Sequence, residues 1–331
     1  MRKFKVNIDT WRLSYEQPQG TFAWLVDQFK EENKAERPEF IDSKDKYIYF
    51  GDWWLVWRQA EEAEVAEAEA ADRKVLTEIS ADLVLVNGEA LGQFHFNDTQ
   101  KYNGLVFFTF TNKALYAHRG GCLAMLDVAT DSVGRRMTTQ TQLDIAVDVN
   151  FNLYLPIMRH IKDTEHYDMI LNGNRVVDAG RTLQGVGEWF ARSRKRRERF
   201  PTLYFEHSRS DGLKLRCYDK GKEIEASGKA YIAEANGFGG NSKIYRFEAV
   251  VKWWQFRQWL RHVNDSDTDC PIDWKLRPSE TAQEYFKRIA HLYVEDADFC
   301  LALWSWACDH VLYFRDKQTN EKISIQDIVT E

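Results

Sequence analysis

Three short alternating segments carry the residues best suited to chemistry. In LDIAVDV (143–149) successive side chains point to opposite faces of a strand, so Leu143, Ile145, Val147 and Val149 share one side and Asp144, Ala146 and Asp148 the other. Two carboxylates with a small alanine between them leave room for water and suit Mg²⁺ or Mn²⁺. A half-exposed strand with two solvated acids has the same pattern. In LKLRCYDK (213–220) the apolar side is Leu213, Leu215 and Cys217, and the opposite side is Lys214, Arg216, Tyr218 and Lys220. A phenol with a pKa near 10 is a weak nucleophile at neutral pH, but neighbouring positive charge favours phenolate and also binds a phosphodiester. A surface tyrosine packed on lysine stems is the plain alternative. In KIYRFEAVVK (243–252) Arg246 and Glu248 share a face, where a simple ion pair would explain them. If these three strands are neighbours in one sheet, a single polar face gathers Asp144, Asp148, Glu248, Tyr218, Lys220 and Arg246.

The strongest local charge lies just before the second segment. ARSRKRRERF (191–200) sets Arg192, Arg194, Lys195, Arg196, Arg197 and Arg199 against one acid, Glu198. Such a cluster neutralises phosphates and makes binding salt dependent; an arginine-rich, solvated helix face is the other reading. The preceding LQGVG holds a G-x-G too short for a phosphate-binding fingerprint, and it is given no nucleotide role. There is no G-x-x-x-x-G-K-[ST] loop, no G-x-S-x-G and no H-E-x-x-H, so ATP-driven, serine-hydrolase and zinc-protease chemistry have no support. FHF around His95 supplies one histidine where a two-histidine nickase metal site needs a histidine–hydrophobe–histidine trio. His207 is read as structural.

Composition bounds the rest. At roughly 100 to 200 residues per domain, 331 residues make one large domain or two smaller ones. Apolar residues at 44% and charged residues at 29% exclude a disordered chain and a collagen-like or disulfide-stapled scaffold. No apolar run reaches the length of a membrane span, and the start MRKFKVNIDTW lacks the hydrophobic region of a signal peptide, so the expected location is the cytoplasm, away from membrane. Cys122, Cys217, Cys270, Cys300 and Cys308 show no C-x-x-C spacing and read as reduced structural thiols. The net charge of −6 argues against a uniformly basic nucleic-acid binder, although the acidic segment 60–81 accounts for much of it. The 12 Trp, 20 Phe and 14 Tyr suit either a thick core or stacking platforms for unpaired bases.

These residues need elements to hold them. AEEAEVAEAEAADRKVLTEISA (60–81) is built of strong helix formers and reads as a solvated helix. Before it, YIYF and Trp53, Trp54 and Trp57 suggest a strand or hairpin whose tryptophans fill a core. QFHFND, a turn near Asn103-Gly104 and LVFFTFT form a candidate hairpin; QTQLDIAVDVN is a strand followed by a short helix NLYLPIMRHI with Pro156 in its first turn. Asn172-Gly173 marks a tight turn with RVVDAGRTLQGVG as a further strand pair, and TLYFEHS and LKLRCYDK flank RSDG as an antiparallel hairpin. WWQFRQWLRHV and TAQEYFKRIAHLYV are helical, the second with Thr281 and Glu284 as a capping box, so the C-terminal quarter reads as mostly helix. The expected fold is α+β: a mainly antiparallel central sheet that carries the active site, flanked by helices, with a helical C-terminal region. The expected division is an N-terminal α/β region with the acidic helix (1–92), a central core (93–252) and the helical region (253–331).

The order of QLDIAVD, LYFEHSRSDGLKLRCYDKGKE and IYRFEAVVK resembles the replication initiation factor family, the Rep_trans group of rolling-circle plasmid and phage initiators and related mobile-element relaxases. Those proteins show a strand like RLDLAFD, a hairpin ending in R-I-Y-x-K-x-x-E and a strand like W-R-x-E-x-x-x-K. The likeness spans about residues 94–252 in segment order and is dense only in the three motifs. It implies that Tyr218 is a DNA nucleophile, followed by Lys220 and Glu223, that Asp144, Asp148 and Glu248 hold a divalent metal, Mg²⁺ or Mn²⁺, and that Arg246 is the arginine of the later strand. Lys214, Arg216 and Lys220 would balance the phosphate charge, and the arginine cluster would bind DNA. The implied reaction nicks and rejoins one strand at an origin, leaving a 5′-phosphotyrosyl link and a free 3′-hydroxyl that primes synthesis. The implied partners are origin DNA, double-stranded and locally single-stranded, a host helicase and a second copy of the chain. A conjugative relaxase and a non-catalytic DNA-binding regulator of the same fold are the alternatives. The acidic segment and the tryptophan-rich C-terminal part depart from the plasmid initiators.

Overall fold

The computed structural model describes residues 2–17, 19–31, 35–58, 78–97, 104–118, 120–132, 137–176, 202–206, 213–238, 243–265 and 270–330. The strands are β1 (Phe4–Glu16), β2 (Lys46–Tyr49), β3 (Trp53–Trp57), β4 (Glu78–Leu85), β5 (Ala90–Asn97), β6 (Leu105–Phe110), β7 (Met137–Val149), β8 (Tyr167–Leu171), β9 (Asn174–Arg175), β10 (Thr202–Glu206), β11 (Lys214–Asp219), β12 (Tyr245–Lys252), β13 (Leu312–Asp316) and β14 (Lys322–Ile323). The helices are α1 (Thr21–Lys30), α2 (Asn112–Ala117), α3 (Cys122–Ser132), α4 (Tyr154–Lys162), α5 (Lys220–Ser227), α6 (Ala230–Asn236), α7 (Trp253–Asn264), α8 (Ala282–Glu295), α9 (Ala297–Val311) and α10 (Ile325–Thr330). The class is α+β. Ten strands are hydrogen-bonded in the order β10-β11-β12-β7-β1-β6-β5-β4-β3-β2, and four in the order β14-β13-β8-β9. No described helix is long and apolar enough to cross a membrane.

The chain folds as two compact units that cut across the three consecutive stretches 1–92, 93–252 and 253–331. One comprises residues 1–9, 142–280 and 289–331; the other comprises 10–141 and 281–288. In the second unit β2 to β6 run antiparallel, strand after strand. Trp53 and Trp54 are buried, and Trp54 packs with Ile41, Tyr47, Val56 and Val84, so these two tryptophans fill the core as expected, while Trp57 is only partly buried. Gly92 lets β5 lie against β6: a Cβ there would collide with the Phe108 ring and the Thr109 carbonyl. Residues 78–81, read from composition as the end of an acidic helix, instead open β4. Ile79, Ala81 and Leu83 are buried, and pairing with β3 and β5 outweighs helix propensity. Residues 59–77 lie outside the described residues. Thr281 and Glu284 form the expected capping box, Thr281 Oγ1 accepting from Glu284 N–H at 3.3 Å and Glu284 Oε2 accepting from Thr281 N–H at 2.8 Å.

The first unit holds β7 beyond Thr141, β8 to β14 and most of the C-terminal helices. α4 begins at Tyr154, so Pro156 sits in its first turn, where an amide proton is not needed. Asn172 and Gly173, both at positive φ (52° and 75°), make the two-residue turn between β8 and β9. The C-terminal quarter is less purely helical than its composition suggests. Leu312 and Phe314 are buried on β13, which pairs with β8 and β14. All five cysteines are free thiols, and Cys122, Cys217, Cys300 and Cys308 are buried.

Candidate active site around Tyr218

β11, β12 and β7 are consecutive neighbours in the sheet. Their antiparallel register sets Tyr218 opposite Arg246 and Arg216 opposite Glu248; across β12, Arg246 faces Asp148, Glu248 faces Ala146 and Val250 faces Asp144. The apolar halves of the same strands fix this choice of face. Leu215, Cys217, Phe247, Ala249, Ile145 and Val147 are fully buried, and α9 packs against β11 and β12. Trp304 of α9 donates its indole N–H to the Phe247 carbonyl at 3.1 Å and meets the Phe247 ring edge-on. A one-residue slip would turn every one of these apolar side chains to the polar face, so the register holds the polar constellation together. α5 and α6 pack on each other, and α5 also contacts β12.

Arg246 and Asp148 form the fixed centre. Both are fully buried, and Arg246 donates from Nε to Oδ1 at 2.6 Å and from a terminal nitrogen to Oδ2 at 2.7 Å. Asn7 and Asn236 also donate to Oδ2, at 2.9 and 3.0 Å. Three of these four donors reach Oδ2 and one reaches Oδ1, so Asp148 clamps Arg246. The other terminal nitrogen of Arg246 binds Asp9 on β1. A guanidinium so enclosed holds the frame of the site and does not reach outward to a substrate.

Tyr218 lies over this centre. Its hydroxyl donates to Glu248 Oε2 at 3.0 Å, while Glu248 Oε1 accepts from Arg216. Arg216 also lies 3.7 Å from Asp144, whose Oδ1 accepts from Gln142 at 2.9 Å. Lys220 was expected on the strand, but it opens α5, with Asp219 as N-cap accepting from Lys222 N–H at 3.1 Å. The helix turn brings Glu223 back to Lys220, both carboxylate oxygens accepting at 2.9 Å, and the buried ammonium lies 3.8 Å from Asp9 and 5.7 Å from the Tyr218 ring centroid. Positive charge near Tyr218 was expected to favour phenolate. Burial outweighs it: desolvation pushes the phenol far above its ordinary pKa, Arg246 pulls it back, and Glu248, Asp9 and Glu223 push the same way as burial. Burial also raises the Glu248 pKa, against the pull of Arg216 and Arg246 and with the help of Asp9.

The structure thus brings together Tyr218, Lys220, Arg246, Asp144, Asp148, Glu248 and Arg216, the last with a role in orienting Glu248. Lys214 stands on the same face of β11, opposite Val250. Arg192, Arg194, Lys195, Arg196, Arg197 and Arg199 lie outside the described residues, as does His207. Asp9, Asn7 and Asn236 were not anticipated. The first two had a signal: FKVNID alternates, with Phe4, Val6 and Ile8 on one side and Lys5, Asn7 and Asp9 on the other. Asn236 had none, being placed by the end of α6 at Gly237 in the left-handed conformation (φ 64°).

Five carboxylates and three cations form two sets of ion pairs, Arg216 with Asp144 and Glu248, and Lys220 and Arg246 with Asp9, Asp148 and Glu223. The formal surplus of two negative charges in a largely buried place suits one divalent cation, and the donors are the hard oxygens that Mg²⁺ and Mn²⁺ prefer. Asp148 is held mainly by Arg246, Asn7 and Asn236, and Glu248, Asp144 and Asp9 lie in the same cluster as further acids for such an ion. Among the described residues no three carboxylates, histidines or cysteines are grouped at ligand distance, and the Arg216 guanidinium stands between Asp144 and Glu248. No family model matches the chain, and no curated protein is similar to it in sequence.

Proposed function

We propose that this chain is a divalent-metal-dependent DNA-nicking and joining enzyme that initiates rolling-circle replication of a plasmid, phage or integrated element, with Tyr218 as nucleophile. The observation that carries the reading is the Tyr218 hydroxyl held at 3.0 Å on the buried Glu248 carboxylate, beside Lys220 and Arg216. In the reaction, Glu248 takes the phenolic proton as Tyr218 Oη forms a bond to phosphorus. The bond from phosphorus to the 3′ oxygen breaks, and that oxygen takes a proton from solvent. The phosphodiester energy is kept in the 5′-phosphotyrosyl link, so the free 3′-hydroxyl reverses the step without ATP. Lys220 and Arg216 would offset the negative charge that builds on the oxygens of the pentavalent phosphorus. Glu248, Asp144 and Asp9 would hold a divalent ion, whose chemistry there would be Lewis-acid polarisation of the scissile phosphate. Arg246, clamped by Asp148, positions Tyr218 and Glu248 and makes no contact with substrate.

The test is nicking of a supercoiled plasmid carrying the element's own origin, with Mg²⁺ or Mn²⁺ and with chelator, comparing the wild type with Tyr218→Phe and trapping protein–DNA adducts. Wild-type nicking and linkage, lost in a variant that still binds DNA, supports the assignment. Equal nicking by both removes Tyr218 from the chemistry. One feature favours a non-catalytic DNA-binding regulator as second reading: burial makes the phenol harder to deprotonate than an ordinary tyrosine. Binding of origin DNA without nicking under either metal would establish it. A relaxase at an origin of transfer would use the same chemistry and would nick transfer DNA in place of a replication origin.

A further inference from the structure

A polar cavity of about 340 Å³ lies in the unit built on residues 10–141, lined by Arg12 of β1, Glu78 and Ser80 of β4, His95 and Asn97 of β5, and Thr141 of β7. We propose that this cavity binds one phosphate group, held by Arg12, Ser80 and His95.

Arg12 is the central observation. Among the described residues its guanidinium meets no carboxylate; its contact is the Phe107 ring, 5.5 Å away, and its Nε is buried with no acceptor. A partly buried guanidinium with donors unspent is suited to an anion with several oxygens, which its planar fork binds at two points. Ser80 Oγ and His95 Nδ1 lie 3.0 Å apart across β4 and β5, bringing a hydroxyl and a ring nitrogen to the same wall. Thr141 Oγ1 donates to the Arg12 carbonyl at 3.3 Å and ties β1 down beside the cavity. Asn97, 2% exposed, supplies the complementary demand. Its Nδ2 is committed to the Leu105 carbonyl at 2.8 Å, and its Oδ1 has no donor. A plain carboxylate or sulfate would leave that acceptor empty. A ligand with anionic oxygens and a hydroxyl would not: a phosphate bearing one proton, or a phosphodiester beside a sugar hydroxyl. Phe96 and Phe107 complete walls of low polarity, which strengthen a charge-assisted bond. Glu78 opposes an anion, but it is exposed, where water and salt weaken its effect.

The charge around His95 bears on anion binding. Burial lowers its pKa first and the Arg12 charge second, while Glu78 and Asp82 act against them. A bound phosphate adds negative charge beside the ring and must raise it.

The experiment is NMR titration of the His95 ring in the full-length chain, its resonance identified by its absence from His95→Gln. The pKa is measured alone, with inorganic phosphate, and with the dinucleotide thymidylyl-thymidine, which carries one phosphodiester. The expected result is an upward shift that saturates with ligand. Arg12→Gln should weaken binding about tenfold or more, and Arg12→Lys, which keeps the charge and loses the fork, should fall between. In Arg12→Gln without ligand the His95 pKa should itself rise, which shows that the variant is folded around the ring. A response to inorganic phosphate alone assigns the cavity to free phosphate or a monoester; a response to the dinucleotide assigns it to a nucleic-acid strand. No saturable shift with either probe, or the same shift in Arg12→Gln, overturns the proposal. The readout needs no cleavage of DNA, so it stands or falls apart from the role of Tyr218.

Discussion

The Tyr218 hydroxyl donates to Glu248 at 3.0 Å although the residue directly opposite Tyr218 on β12 is Arg246. The contact is diagonal, two residues along the partner strand, within reach of a long aromatic side chain. Arg246 is held back by Asp148 and Asp9, and Arg216 turns the Glu248 carboxylate from its other oxygen. Each cation near the tyrosine is therefore already pointed by an acid, and the acid the tyrosine touches is the one best placed to take its proton.

Glu248→Gln keeps the shape of that acid and removes its basicity. Nicking should fall by roughly 10²-fold or more, the size of a lost general base, while affinity for origin DNA stays near that of the wild type. Burial raises the Glu248 pKa, so wild-type nicking should climb with pH above the ordinary carboxylate range, and the glutamine variant should lack that limb. Single-turnover rates across pH, at saturating protein, measure both effects.

The same burial has a sign for stability. The folded protein holds the Glu248 proton more tightly than the unfolded chain does, so Glu248 costs stability as pH rises from about 4.3, the unfolded value, through the raised folded one. Denaturant midpoints should decline over that window more steeply in the wild type than in Glu248→Gln. Parallel curves for the two proteins would mean that folding leaves the Glu248 pKa at its unfolded value.

Tyr218 should stay protonated where ordinary tyrosines, with pKa values near 10, lose their protons, because desolvation dominates its environment. Ultraviolet titration of the native protein should then give the same phenolate signal for wild type and Tyr218→Phe until the chain unfolds. An extra phenolate in the wild type below that point would mean that the pull of Arg246 outweighs desolvation.

Arg246 and Asp148 are both fully buried and satisfy each other. Removing one partner strands the other charge, so Arg246→Met or Asp148→Ala should each cost about 3–5 kcal/mol, and the double variant should recover much of the loss. Equilibrium unfolding of the three variants forms the cycle. Additive losses would show that the pair is coupled too weakly to act as the clamp.

Much of this site was legible in the residues. Alternation alone divided LDIAVDV, LKLRCYDK and KIYRFEAVVK into apolar and polar faces, and the observed register puts those polar faces side by side. Alternation does not say how acids and cations will pair. Asp144 and Asp148 have equivalent places in the pattern, yet Asp148 is consumed by Arg246, Asn7 and Asn236 while Asp144 shares Arg216 with Glu248. That difference comes from β1, far away in sequence, and from the end of α6. Residues 78–81 went astray for a related reason: alanine and glutamate favour a helix locally, but two neighbouring strands offered pairing that only tertiary structure can supply.

Asp9 is the sharpest consequence of that long-range contribution. It binds Arg246, lies 3.8 Å from Lys220, and its charge pushes up the pKa of both Glu248 and Tyr218. Asp9→Asn keeps a side-chain acceptor for Arg246 and removes the charge, so the Glu248 pKa should fall toward that of an ordinary carboxylate. Carbon-13 NMR of the Glu248 side-chain carboxyl across pH reads this directly. In a nicking assay the rising limb should move to lower pH by the same displacement, whereas a substitution that only loosened Arg246 would lower the rate at every pH and leave the limb in place. A Glu248 titration unchanged by Asp9→Asn would reduce Asp9 to a tether for Arg246 and Lys220.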